Sequence, residues 1–431
     1  MFTITKINAR WILDSRSTPT IQCSITLSDS DQNNSYTGVA SVPSGASTGI
    51  HEALELRDGG AKFGGKSVDL AIENILQKIG SKILGKTFKD ANEIDEFMLE
   101  LERQEATSNK NQNQAPKSNL GANSILAVSM ASHRAFASGY GIELWQYLRQ
   151  LYFNNLGEKA LYPRLMCNIF NGGAHANNGI EIQEFMIVPS AGSLEKDIQM
   201  SSEIYNQLKK SLKSQGQSVA VGDEGGFAPS FENTHKVLEN IDKAIIDCGY
   251  SRINCDLALD CAASEFFTES SNTYKVDGID YSQSSLTDFY DELYNQFNLL
   301  SIEDPFAEDD LLGWELITNK LGKKITLVGD DLFVTNTDRF QKIGLDNNIA
   351  NSVLIKLNQI GSVLETANII NLAHQNEYST ISSHRSGETN DAFIADLAVA
   401  SGCEFIKLGA PARGERVAKY NRLLEIWDQE N

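Results

Sequence analysis

The sequence predicts an α/β chain in two parts: a small α+β domain over residues 1–140, then an α/β barrel over residues 141–431. Three observations lead there. Near the start, apolar and polar residues alternate, the pattern of strands with one buried face. From residue 67 the spacing of apolar residues turns helical. Further on, six short apolar runs each close on a charged or hydrogen-bonding residue, at 260, 303, 330, 356, 384 and 407, and the last four intervals of 27, 26, 28 and 23 residues each fit one strand plus one helix. Repeated βα units bury their strands on both faces and imply a parallel sheet, and six or more favour closure into a barrel.

Taken in order, Ile21, Cys23, Ile25 and Leu27 mark a strand, and the polar tract 28–37 is a turn to an antiparallel neighbour. Leu70, Ile72, Ile75, Leu76 and Ile79 form an amphipathic helical stripe. Residues 103–119, rich in Gln, Asn, Lys and Ser, read as a solvated loop. A tightly packed helix follows from Asn119 through Ala122, Ile125, Leu126, Val128 and Ala131, and 150–163 reads as the crossing between domains. The barrel runs are 253–260, 299–303, 325–330, 352–356, 379–384 and 404–407.

Composition narrows the function. With 37 Lys and Arg against 57 Asp and Glu, the 431 residues carry a formal charge of −20, a surface that repels nucleic acid and anionic membranes. No stretch approaches the roughly 20 apolar residues of a membrane span, and residues 1–16 hold no long apolar run, so a cytoplasmic location is expected. Six scattered cysteines without a Cys-x-x-Cys pair suit reduced thiols. Gly60, Gly65, Lys66 and Ser67 match a phosphate-binding loop, with Asp330 as its acid. That loop needs a buried strand feeding into it, whereas 51–58 is polar and helix-like, so a surface turn before the next helix is the better reading.

Asp260, Glu303 and Asp330 close three consecutive runs, which points all three carboxylates at one place above the barrel, where such folds keep their chemistry. Hard oxygen ligands without Cys or His suit Mg²⁺. Lys356 closes the next run, and a lysine beside a dication has its ammonium form disfavoured and can act as a base. His384, Arg385, Ser386 and Lys407 bring an anion pocket to the same face. Glu224 in Gly-Asp-Glu-Gly-Gly and Glu184 beside Gln183 add two acids, which divide labour when their surroundings split their proton affinities. Residues 44–49 are small and polar with glycines placed like hinges, as in a lid. Singly, each residue has a commoner structural role; the order acid, acid, acid, lysine favours chemistry. Base, dication, anion pocket and separate acid together fit proton abstraction α to a carboxylate followed by loss of a leaving group.

Long motifs carry a resemblance: VPSGASTGIHEALELRDG at 42–59, NGGAHA at 171–176, IQEFMI at 182–187, VGDEGGFAP at 221–229, LDCAASEFF at 259–267, SIEDPFAEDD at 301–310, VGDDLFVTN at 328–336, SHRSGET at 383–389 and GAPARGERVAKYN at 409–421. From about residue 4 to 421 the chain resembles the enolase family. The resemblance implies an enolase-type (α/β)8 barrel with irregular first units, and interconversion of 2-phosphoglycerate and phosphoenolpyruvate with two Mg²⁺ per site. It implies that Asp260, Glu303 and Asp330 bind the first Mg²⁺ and that Ser47, in the lid, helps bind the second. Lys356 would take the C2 proton, and Glu224, assisted by Glu184, would protonate the departing 3-hydroxyl, with His384 completing the catalytic set. His175, Gln183, Glu184, His384, Arg385, Ser386 and Lys407 would hold the substrate's phosphate, carboxylate and hydroxyl. A homodimer, or an octamer of dimers, is implied.

Departures from the family pattern are few. Ser17-Thr18 stand for a usual Gly-Asn near the dimer contact, Asn390 stands where an acid is common, Leu408 replaces a Thr, Gly414 replaces a Ser, and the loop at 109–117 is longer. Two alternatives compete: another superfamily dehydratase acting on an acid sugar, and a non-catalytic scaffold or surface-binding protein. The lid and Gly-Asp-Glu-Gly-Gly motifs weigh against the first. The presence of Lys356 and Glu224 weighs against the second.

Overall fold

The computed structural model describes residues 1–29, 34–45, 51–108 and 116–431. Alternation at the start does what its period requires. Strands β1 (Phe2–Leu13), β2 (Pro19–Asp29) and β3 (Ser35–Ser41) pair antiparallel, and the short β4 (Thr87–Phe88) joins β1, giving the order β3-β2-β1-β4. Ile21, Cys23, Ile25 and Leu27 are fully buried, on the side of the sheet covered by the helix Ala122–Tyr140. That helix and β3 approach backbone to backbone at Gly38, where an added Cβ would lie 2.1 Å from the Ala131 carbonyl oxygen.

Three sequence expectations change here. Residues 69–83 are helical, but a π-type stretch at Asn74–Ile79 alters the phase. The buried stripe is therefore Ala71, Ile75, Ile79 and Ile83, and Leu70 is exposed. The helix Ala91–Ser108 takes in the first part of the stretch read as loop, because Glu, Arg, Gln and Ala are good helix formers even where polar; 109–115 lie outside the described residues. Residues 51–58 are not helical, since their N–H groups are spent on distant acceptors: Ala53 on Gln359, Leu54 on Pro116, Leu56 on the Asn123 side chain and Asp58 on Ser67. The glycine segment at 60–67 is a surface turn, with no strand leading into it.

The barrel consists of β5 (Arg164–Asn171), β6 (Glu184–Pro189), β7 (Cys255–Asp260), β11 (Leu299–Glu303), β12 (Thr326–Gly329), β13 (Ser352–Ile355), β14 (Ser379–Ser383) and β15 (Phe405–Lys407), closed in the order β11-β12-β13-β14-β15-β5-β6-β7. A small antiparallel sheet of β8 (Phe267–Thr268), β9 (Thr273–Val276) and β10 (Ile279–Tyr281) branches off after β7. All ring pairings are parallel except those of β6, which runs against both β5 and β7. Met166, Met186, Val188, Ala258, Val328, Leu354, Ile381 and Phe405 form an interior cluster separate from the larger core between strands and helices.

The two parts meet just beyond Lys356. Asp95, on the helix Ala91–Ser108, accepts from Ser129 Oγ at 2.8 Å and from the Leu364 N–H at 3.0 Å, while Ser129 Oγ accepts from the Val363 N–H at 3.0 Å. These residues satisfy open N–H groups at the start of the helix Val363–Gln375. Lys117 bonds the Ile360 carbonyl and Glu365 in the same joint. Among the described residues no helix is long and apolar enough to cross a membrane.

Candidate functional site

The barrel strands deliver their last residues to one face. Asp260 ends β7, Glu303 ends β11 and Lys407 ends β15, while Asp330, Lys356 and His384 directly follow β12, β13 and β14. Because β6 is reversed, its first residue reaches this face, and Glu184 lies in register with Asn171 of β5 and Asp260 of β7. A cavity there is lined by Glu52, His175, Gln183, Glu184, Glu224, Asp260, Asp304, Asp330, Asp331, Lys356, His384, Arg385, Ser386 and Lys407, among others. Every sequence-predicted site residue among those described lines this cavity except Glu303, which contacts the cavity residue Lys407. Ser47 lies outside the described residues.

Ion pairs organise the interior. The Lys407 Nζ lies 2.7 Å from Asp260, 3.0 Å from both Glu303 oxygens and 3.3 Å from Glu184. Lys356 donates to one oxygen of Asp330, and Gln359 Nε2 donates to the other at 2.8 Å. Arg385 meets both oxygens of Glu52, at 3.1 and 3.2 Å. His175 stands 4.0 Å from Glu184 and 4.0 Å from Glu224, and Gln183 reaches Asp260 at 3.5 Å. Asn168 Nδ2 donates to Glu224 at 3.1 Å.

The expected trio of Asp260, Glu303 and Asp330 is divided between the two lysines, which oppositely charged buried groups favour. Among the described residues, the groups with ligand atoms all within 4.8 Å of one another are His175, Glu184 and Glu224, and Asp304, Asp330 and Asp331. The donor chemistry nevertheless suits a hard dication. Asp260, Glu303, Asp304 and Asp330 are buried oxygen donors without a thiolate. Burial and the charge of Asp260 hold the Glu303 carboxyl well above its ordinary range; burial and Asp331 do the same to Asp304, and burial with Asp330 raises Asp331 to about 7. Carboxylates that repel one another in a buried site are stabilised by added positive charge.

The remaining acids are split. Burial and the charge of Glu224 push Glu184 well up, whereas for Glu224 the opposing pull of His384 and His175 outweighs burial and brings it well down. The two carboxyls thus titrate as a pair whose surroundings push their proton affinities apart. For Lys356, burial disfavours the charge, but the contact with Asp330 outweighs burial and raises its proton affinity.

Sequence reasoning missed Glu52, Asp304, Asp331, Gln359 and Arg416. Glu52, Asp304, Asp331 and Arg416 sit inside quoted motifs, and Asp304 and Asp331 directly adjoin the named residues Glu303 and Asp330. Gln359 and Arg416 act through other side chains, which no spacing announces. Of the departures, Ser17 adopts φ 59°, a left-handed conformation for which a glycine is better suited. Leu408 is fully buried beside Lys407.

Two sequence models of one family match the chain: the enolase N-terminal domain over residues 4–148 and the enolase C-terminal TIM barrel domain over residues 159–430. Curated relatives named enolase include those of Elusimicrobium minutum, 48% identical over 428 residues, Nitratiruptor sp., 47% over 428, and Corynebacterium kroppenstedtii, 45% over 430. Each alignment covers 99% of this chain and 95–96% of the relative.

Proposed function

The chain belongs to the enolase family, and on that premise we propose that it catalyses the Mg²⁺-dependent, reversible dehydration of 2-phospho-D-glycerate to phosphoenolpyruvate, a hydro-lyase reaction. One observation carries this reading: one buried cavity presents the Lys356 side chain and a carboxyl pair, Glu184 and Glu224, whose proton affinities are pushed apart by their surroundings.

Lys356 takes the proton at C2, next to the substrate carboxylate. Glu224, supplied by its partner Glu184, gives a proton to the departing 3-hydroxyl. His175, Gln183, Arg385, Ser386, His384 and Lys407 hold the anionic substrate, Arg385 as a planar fork and Lys407 as a point charge. Asp260, Glu303 and Asp330 are the residues that would hold the first Mg²⁺, and Ser47 would assist the second. When bound, the dications supply positive charge against the extra negative charge that develops on the substrate carboxylate, and they compete with Lys356 for Asp330. Residues 1–140 cap the site and 141–431 carry it, in a cytoplasmic homodimer or an octamer of dimers.

The test is to supply 2-phosphoglycerate and Mg²⁺ and follow phosphoenolpyruvate by ultraviolet absorbance. Turnover is expected, abolished by EDTA and reduced at least ~10³-fold in Lys356→Ala. Absence of Mg²⁺-dependent turnover in the intact protein refutes the reading.

A further inference from the structure

Arg416 is fully buried behind the cavity. Its Nη1 donates to His384 Nδ1 at 2.5 Å and to the Arg385 carbonyl at 2.5 Å, and its Nη2 donates to the carbonyls of Ser386 at 2.6 Å and Asp223 at 3.1 Å. One side chain therefore ties the segment bearing His384, Arg385 and Ser386 to the loop bearing Glu224.

A guanidinium offers donors and no acceptor. The imidazole nitrogen that meets it must present a lone pair, so the proton of neutral His384 lies on Nε2. That nitrogen is buried, has no hydrogen-bond partner among the described residues, and lies 3.4 Å from the cavity residue Glu224. Gly409, at φ 77°, keeps the ring's other edge close: a Cβ there would stand 3.1 Å from His384 Cε1 and 3.1 Å from Arg416 Cδ. Besides Arg416, the charged groups acting on the ring are Glu224 and Glu388. Burial, with Arg416, outweighs them and brings the imidazole down to about 4.

We propose that Arg416 is a positioning residue that fixes His384 as the Nε2–H tautomer, giving the site a neutral, immobile N–H donor beside Glu224. This role in the reaction rests on the dehydration reading above, in which Glu224 serves the departing hydroxyl. His384 is then a hydrogen-bond donor that orients the leaving oxygen, and proton delivery stays with the carboxyl pair.

Long-range ¹H–¹⁵N spectra of ¹⁵N-histidine-labelled protein, with the His384 signal assigned by His384→Gln, read the tautomer without substrate. The expected result is an Nε2–H signature that does not titrate between about pH 5 and 8. In Arg416→Lys, which keeps the cation and loses the fork, the tautomers mix or titration enters that range, and kcat falls roughly 10–100-fold with KM little changed. An Nδ1–H signature or titration of His384 in the wild type overturns the proposal, as does an unaltered His384 spectrum in a folded Arg416→Lys. The wild-type spectrum decides the tautomer even where the variant does not fold. The expected spectrum without turnover of 2-phosphoglycerate refutes the dehydration reading and leaves the tautomer standing.

Discussion

Asp95→Asn removes one buried negative charge from the joint between the N-terminal domain and the helix that follows Lys356. Burial holds the Asp95 carboxyl up at about 7, and Glu365 adds to this, while the bonds from Ser129 and Leu364 and the charge of Lys117 pull the other way. The other carboxyl oxygen has no hydrogen-bond partner among the described residues. Because the folded value lies above the ordinary 3.8, the bound proton contributes stability that is fully present below pH 3.8 and lost as pH rises through about 7. At about 1.4 kcal/mol per unit, the full swing is of order 4 kcal/mol. Asparagine keeps an oxygen for Ser129 and Leu364 without the charge. Chemical unfolding across a pH series is the assay: the stability of the wild type relative to Asp95→Asn should fall by a few kcal/mol between about pH 4 and pH 8, leaving the variant the more stable at the upper end. Parallel pH profiles for the two proteins, or a variant less stable at about pH 8, would refute the reasoning.

Two further outcomes follow from geometry already described. Lys407→Met strands Asp260, Glu303 and Glu184 without their shared ammonium, and unfolding in EDTA should show a loss of about 3–5 kcal/mol that added Mg²⁺ reverses in part. Ser17→Gly relieves the left-handed backbone at φ 59° and should raise the unfolding free energy by up to about 1 kcal/mol in denaturant titrations; a loss of stability would show that the Ser17 side chain matters more than its backbone.

The barrel was legible where its strands are buried on both faces and stop at the cavity. β11 through β15 are short apolar runs, and a charged or hydrogen-bonding side chain closes each at this face, Glu303 and Lys407 as last residues and Asp330, Lys356 and His384 as the residue just after. β5 and β6 escaped this rule for a physical reason. β6 is antiparallel, so its functional residue, Glu184, opens the strand, and Pro189 closes it. β5 ends on Asn171, with no charge to mark it. The helical stripe at 69–83 was legible as a helix but not in its phase, because a single π-type stretch has no signature in apolar spacing. In the site, Asp260, Asp330, Lys356, His384 and Lys407 are legible at the ends of the runs, whereas the cavity acids Glu52, Asp304 and Asp331 are not singled out by any spacing. Arg416 is not legible either, because it works from the beginning of the last helix on the carbonyls of another segment. Nor does sequence order reveal which partner a buried lysine chooses. Lys356 and Lys407 each hold carboxylates that the resemblance assigns to the first Mg²⁺.

The ring closes between its first strand and its last, Phe405 of β15 pairing with Arg164 of β5. Every strand between them must therefore be synthesised before the barrel can exist, and contacts so distant in sequence form slowly. The antiparallel sheet and its covering helix, by contrast, are complete in the first third of the chain and can fold as it emerges. A ribosome paused short of Lys407 and Arg416 would hold a finished N-terminal sheet above an open, half-built wall of β-strands. The site exists only once Lys407 and Arg416 have both been made, and a product that stops before them lacks both groups.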